Sequence, residues 1–118
     1  VITLGSAQAY IAGFFLGSVT LLDPITGDII HKTSCYNQSN RPVREIKFEV
    51  RNQPAEVNRL QVVFYNGTKQ DLDVKRHFKV GEESRWLDLN NGFRCIKSIR
   101  VIGDSDTWGR SVLRFFGK

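Results

Sequence analysis

Chemistry in this chain would have to come from 17 lysines and arginines, 12 aspartates and glutamates, two histidines and two cysteines. His31 and His77 stand far apart and in no H-E-x-x-H or other ligand spacing, so no histidine metal site is expected. Asp104 and Asp106 look like a fragment of a calcium loop. The turn glycine and closing glutamate that such a loop needs are missing, and ordinary turn aspartates explain the pair. Glu82 and Glu83 are adjacent carboxylates on a polar stretch, a weak arrangement for acid/base work. No G-x-S-x-G, P-loop or G-x-G-x-x-G occurs. The expectation is a protein that is not an enzyme and holds no metal or cofactor.

Cys35 and Cys95 have no C-x-x-C spacing, which leaves zinc and thioredoxin-type chemistry without support. They are either two buried thiols or one long-range disulfide, and the disulfide would imply an oxidising compartment. The elements that position them decide between the two.

Those elements read as strands. "REIKFEV" alternates Ile46, Phe48 and Val50 with charged residues, the pattern of a half-buried strand. "RNQPAE" breaks it at Pro54. Leu60, Val62 and Phe64 lead into Asn66-Gly67, a dipeptide suited to a two-residue type I′ turn, and Leu72 and Val74 return. "KRHFKVGEE" reads as a polar connection, "SRWLDL" as a short strand with Leu87 and Leu89 inward, and "NNG" as a turn. In "FRCIKSIRVIG" the apolar period slips between Ile96 and Ile99. One extra residue near Lys97-Ser98, a β-bulge, would put Ile96, Ile99 and Val101 on one face. "DSDTWGR" is a loop and "SVLRFFG" the last strand. These strands predict an all-β antiparallel sandwich of the jelly-roll kind, one domain over residues 1–118.

If successive strands run antiparallel, the loops alternate between two ends. With Asn66-Gly67 at the top, Cys35 and Cys95 fall at that same end, and this favours the disulfide. The bottom then gathers Lys75, Arg76, His77, Lys79, Asp104, Asp106, Trp108 and Arg110. Loop ends of a rigid sandwich commonly carry binding sites, and a loop tryptophan beside charged groups suits a sugar ring or an anionic group. The alternative is that Trp108 folds back as a lid on the core.

Hydrophobic content of 41% and charged content of 25% are those of a globular domain, not a disordered one. Net charge is +5, and every base lies from Lys32 onward. A solvated mixed-charge surface accounts for this; a glycan or anionic envelope component is the sharper reading. Nucleic acid is not expected, because bases and acids alternate, as in "VREIKFEVRN".

"VVFYNGTKQDL", Gly81 with Ser84, "WLDL" and Arg94-Cys95-Ile96-Lys97-Ser98-Ile99 resemble a family of small exported bacterial β-sandwich domains of unknown function. The resemblance covers about residues 43–117. It implies a secreted or periplasmic all-β domain and no activity. Some members of that family carry cysteines corresponding to Cys95 and Cys35.

The apolar lead, residues 1–31, departs from that pattern. "VITLGSAQAYIAGFFLGSVTLLD" is long enough to span a bilayer, but glycines, hydroxyl residues and a glutamine dilute it, and no basic n-region precedes it. It reads as a mature N-terminus forming two strands, "VITLGS" and "GFFLGSVTLLD", the second with a mostly continuous apolar run, Phe14 to Leu16 and Val19 to Leu22, as expected when both faces are covered; a membrane anchor is not expected. The expected function is a non-catalytic exported binding or accessory domain of the cell envelope. The alternative is a structural subunit of an oligomer or filament that self-associates through residues 1–22.

Overall fold

The computed structural model describes residues 13–21, 26–29, 42–104 and 111–118. Period-two patterning dominates them, and eight strands result: β1 (Phe14–Leu21), β2 (Thr26–Ile29), β3 (Glu45–Arg51), β4 (Ala55–Phe64), β5 (Lys69–Phe78), β6 (Leu87–Asp88), β7 (Ile96–Asp104) and β8 (Ser111–Gly117). They form two four-stranded antiparallel sheets, in the orders β1-β8-β3-β6 and β2-β7-β4-β5. The pairs β1–β8, β2–β7, β3–β6 and β4–β5 are the rungs of one long nested hairpin. The pairs β3–β8 and β4–β7 roll that hairpin into two sheets. This is the strand order of an eight-stranded jelly roll, a β-sandwich of the class the sequence predicts. No helix among the described residues is long and apolar enough to cross a membrane.

The core contains the inward residues that alternation predicts in β3, β4 and around β6, joined by Val57, Phe78, Leu113 and Phe115, with Leu72 and Val74 partly buried against it. Ile46, Phe48 and Val50 of β3, Leu60, Val62 and Phe64 of β4, and Leu87 and Leu89 around β6 are all buried. Phe48 meets Phe78 edge-on at 5.0 Å across the sheets and Phe115 at 5.6 Å within its own. The bulge expected in β7 is present. Ser98 pairs with Val63 and Ile96 with Phe64, so Lys97 is the extra residue and Ile96, Ile99 and Val101 share the core face.

Three expectations need correction. The Asn66-Gly67 turn is not a two-residue type I′ turn. Phe64 N–H donates to Thr68 O and Gly67 N–H to Phe64 O, each at 2.9 Å. Of the loop residues Tyr65, Asn66 and Gly67, only Gly67 has positive φ. The loop therefore has three residues and one left-handed position. Asn66 is held by its side chain, whose Oδ1 accepts from Thr68 N at 3.0 Å and Thr68 Oγ1 at 2.7 Å. Secondly, "KRHF" is strand: β5 runs on to Phe78 because that ring seats in the core and its backbone pairs with Ala55. Thirdly, β1 is not covered on both faces. Leu16, Val19 and Leu21 are buried, while Phe15 and Ser18 are exposed; an irregularity between Phe15 and Gly17 sets that phase. The strand expected at "VITLGS" lies outside the described residues.

One sheet fans open. From the Leu60 level to the Val57 level, β7 takes two steps (Val101 to Gly103), β4 three, and β5 four (Leu72 to Arg76). The extra residues sit at Asn58 and beside Lys75, whose φ is +47°. Before Asn58 the buried residues of β4 are odd-numbered, Ala55 and Val57; after it they are even-numbered.

Candidate functional site

The bottom end carries the residues that the sequence singles out, but the strands distribute them. The extension of β5 makes Lys75, Arg76 and His77 strand residues, and alternation sends them to different sides. Lys75 and His77 are exposed, His77 opposite Glu56. Arg76 stands opposite buried Val57, at the sandwich edge. Its guanidinium lies 4.6 Å from the Phe78 ring centre and 3.7 Å from Glu82. Lys79 opens the next turn, where its N–H donates to Glu82 Oε1 at 2.8 Å. Glu82 thus serves that turn, while Glu83 reaches Lys47 at 2.7 Å on another strand, so the two adjacent carboxylates do not converge. Asp104 ends β7 with its backbone opposite Glu56. Asp106, Trp108 and Arg110 lie outside the described residues, and so does Cys35. A depression of about 330 Å³ opens where the sheet fans, lined by Asn58, Arg59, Asp73, Lys75 and Ile102. Among the described residues no three His, Cys, Asp or Glu side chains cluster as metal ligands would.

A second surface went unread in the sequence: the outer face of the β1-β8-β3-β6 sheet. Phe15 and Phe116 meet edge-on at 5.7 Å, with Arg114 5.2 Å from the Phe15 ring centre. Trp86 has the ammonium groups of Lys118 and Lys47 at 4.5 and 5.1 Å. The charges here are largely matched within the face. Lys47 pairs with Glu83, and Arg51 and Arg114 reach Glu49 at 3.3 and 3.7 Å.

The top end differs in kind. Among the described residues three segments meet there: 42–44, 65–70 and 89–98. Val43 and Arg94 exchange backbone hydrogen bonds of 2.9 and 2.7 Å, and Tyr65 N–H donates to Cys95 O at 3.0 Å. Residues 94 and 95 thereby tie the two sheets together. The segments hold four bases, Arg44, Lys69, Arg94 and Lys97, and no acid. None of these bases makes an ion pair among the described residues. The closest acids along the chain are Glu45, Asp71 and Asp88. Glu45 and Asp88 face each other across β3 and β6 at the next level down. Asp71, two residues below Lys69, stands opposite Gln61, whose side-chain amide donates to it at 3.3 Å. Phe93 is 62% exposed and Tyr65 38%, and the Arg44 guanidinium lies 5.4 Å from the Phe93 ring centre.

Arg94 is the fixed point of this end. Its guanidinium lies 3.8 Å from the Phe64 ring centre. It donates to Asn90 O at 2.9 Å, Thr68 Oγ1 at 3.0 Å and Asn66 Oδ1 at 3.5 Å. Beside it Phe64, Tyr65, Asn66, Arg94 and Cys95 line a depression of about 210 Å³. A guanidinium so pinned needs no reorganisation to meet an anion. The alternation of loop ends that places the cysteines also places these bases, and the signal in the sequence was the lack of any acid in the three segments.

Comparison with known proteins finds a family model, described as "Domain of unknown function (DUF2541)", that matches residues 1–117. The match begins at residue 1, so the apolar lead falls within the family domain; the resemblance seen in the sequence from residue 43 onward was too narrow. No curated protein and no solved structure matches the chain.

Proposed function

Since the chain belongs to the DUF2541 family, whose description assigns no function, its role has to come from its own surfaces, and we propose a non-catalytic exported binding or accessory domain of the cell envelope, secreted or periplasmic. One observation carries the binding reading: the described segments of the top end set Phe93 and Tyr65 in solvent beside four bases and no acid. Exposed aromatics next to unmatched cations suit a glycan or an anionic envelope component. The site moves from the bottom loops to the top turns for that reason. Export rests on a Cys35–Cys95 disulfide. In its support, Cys95 is not a free thiol, and the chain has one other cysteine.

The test is an envelope pull-down and a glycan array with the intact chain and with Phe93→Ala. Retention of a component by the intact chain, reduced in the variant at unchanged melting temperature, is the expected result. No retention in either screen would sink the proposal.

A second reading, assembly through the N-terminal strands, is favoured by one observation. Among the described residues β1 is one of the two edge strands of its sheet, and it exposes Phe15. Light scattering on the intact chain and on one lacking residues 1–12 decides it. Removing residues 1–22 would also delete buried Leu16, Val19 and Leu21, so the shorter cut is the informative one. Equal monomer masses would dismiss this reading.

A further inference from the structure

We infer that the ligand of the top end is an acidic glycan: a polyhydroxylated chain bearing carboxylate or phosphate groups. This rests on the binding reading above and names its ligand class. Three features converge.

Charge comes first. Arg44, Lys69, Arg94 and Lys97 stand on segments without an acid. On the outer face of the β1-β8-β3-β6 sheet, by contrast, Lys47, Arg51 and Arg114 each reach a glutamate. A polyanion gains at the top end what it would have to displace there. The chain's net charge of +5 adds long-range attraction of the same sign.

Shape and polarity come second. Among the described residues Phe93 has the largest exposure of the big apolar side chains, and Tyr65 is also exposed; aromatic faces stack on the C–H faces of sugar rings. The turns between them are amide-rich: Asn66, Asn90 and Asn91 are all exposed. Asn66 gives its carbonyl oxygen to Thr68 and Arg94, which leaves its amide N–H groups for hydroxyls. Arg94, at the lining of the 210 Å³ depression, is held by Phe64 and three acceptors and presents a fixed donor to one acidic group.

Footprint comes third. Glu45, Asp71 and Asp88 sit just below the rim, so attraction is confined to the end of the sandwich. A flexible glycan touching a few charges satisfies that limit. A nucleic acid lying along the molecule, with evenly spaced phosphates, would extend over these acids.

The experiment titrates the full chain with polygalacturonate, a phosphorylated mannan, the carboxyl-reduced form of the first, vesicles of phosphatidylglycerol in phosphatidylcholine, and oligo(dT). Each titration is run at about 50 and 200 mM salt. Binding to an acidic glycan is expected. It should weaken about tenfold or more when the carboxyls are reduced, when salt is raised, and in Arg44→Gln/Lys97→Gln. Phe93→Ala should weaken it as well, and Trp86→Ala, on the other face, should not. All three variants carry a melting-temperature control. Equal or tighter binding of the neutral glycan, the vesicles or the oligonucleotide would overturn the acidic-glycan assignment while leaving a binding domain. No binding to any probe, with a negative envelope pull-down, would overturn both.

Discussion

The guanidinium of Arg94 does two jobs at one point, closing the top turns against each other and facing the depression beside them. Hydrogen bonds from a charged donor are worth about 1.5–3 kcal/mol each when buried and less near solvent; a ring contact adds about 0.5–1 kcal/mol. Arg94→Ala should therefore lower stability by about 2 kcal/mol in urea unfolding. Arg94→Lys should recover only part of it, because an ammonium cannot reproduce the planar fork; full recovery by lysine would refute the geometry. Ser84 works the same way inside the molecule. Its hydroxyl accepts from Phe48 N–H at 3.0 Å and donates to Arg85 O at 2.8 Å, while its own N–H donates to Phe48 O at 2.8 Å. It continues the β6 side of the sheet where no strand does. Ser84→Ala leaves a buried N–H unmatched and should cost about 1–3 kcal/mol, measured by the same unfolding curve. The G-x-x-S spacing from Gly81 to Ser84 is thus structural: Gly81, at φ +93°, turns the chain so that Ser84 arrives beside Phe48.

At the scale of elements, bulges decide which side chains go where. Lys97 brings Arg94 and Cys95 to their partners without moving Ile99 and Val101 off the core face. The period slip between Ile96 and Ile99 made this bulge legible in the sequence. The fan at Asn58 and Lys75 was not legible, since exposed polar residues on both sides hide the change of phase. Gly103 is where β7 passes closest to the fan. A Cβ there would overlap the carbonyl oxygen of Glu56 and come within 2.9 Å of Val57 Cα, and neither backbone atom can move freely. Gly103→Ala should cost about 3 kcal/mol or more, within the upper range of overpacking. Gly92→Ala, at φ +76° with nothing within 4 Å, should cost only about 1–2 kcal/mol of left-handed strain. Thermal unfolding of the two variants side by side checks the contrast; equal losses would contradict it.

For the whole molecule, the nested hairpin explains why the loops divide cleanly between two ends. Every rung joins strands running in opposite directions, so alternate connections must share an end. Cys35 and Cys95, if paired, close a loop of about 60 residues, worth about 4 kcal/mol in the chain-entropy account. Reduction should lower the melting temperature, as should Cys95→Ser; an unchanged transition would refute the pairing. The same division sets bases without acids at one end and mixed charge at the other, and it is why a modest net charge can still give a directed surface.

The sequence by itself determined most of the strands (β2 and the far end of β5 excepted), the inward residues of β3, β4 and β6, the bulge near Lys97 and the two-ended arrangement of loops. All of these follow from period-two burial and antiparallel succession, which are local rules. It placed Lys75, Arg76 and His77 together in a loop because consecutive charges look like one. Only the tertiary structure decided otherwise, since Phe78 is drawn into the core and makes that stretch a strand whose sides alternate. The top end emerged in the same way. Arg44, Tyr65, Phe93 and Arg94 come from three separate turns, and their neighbourhood exists only once the hairpin has rolled into two sheets and the pairing of Val43 with Arg94 and of Tyr65 with Cys95 has drawn those turns together.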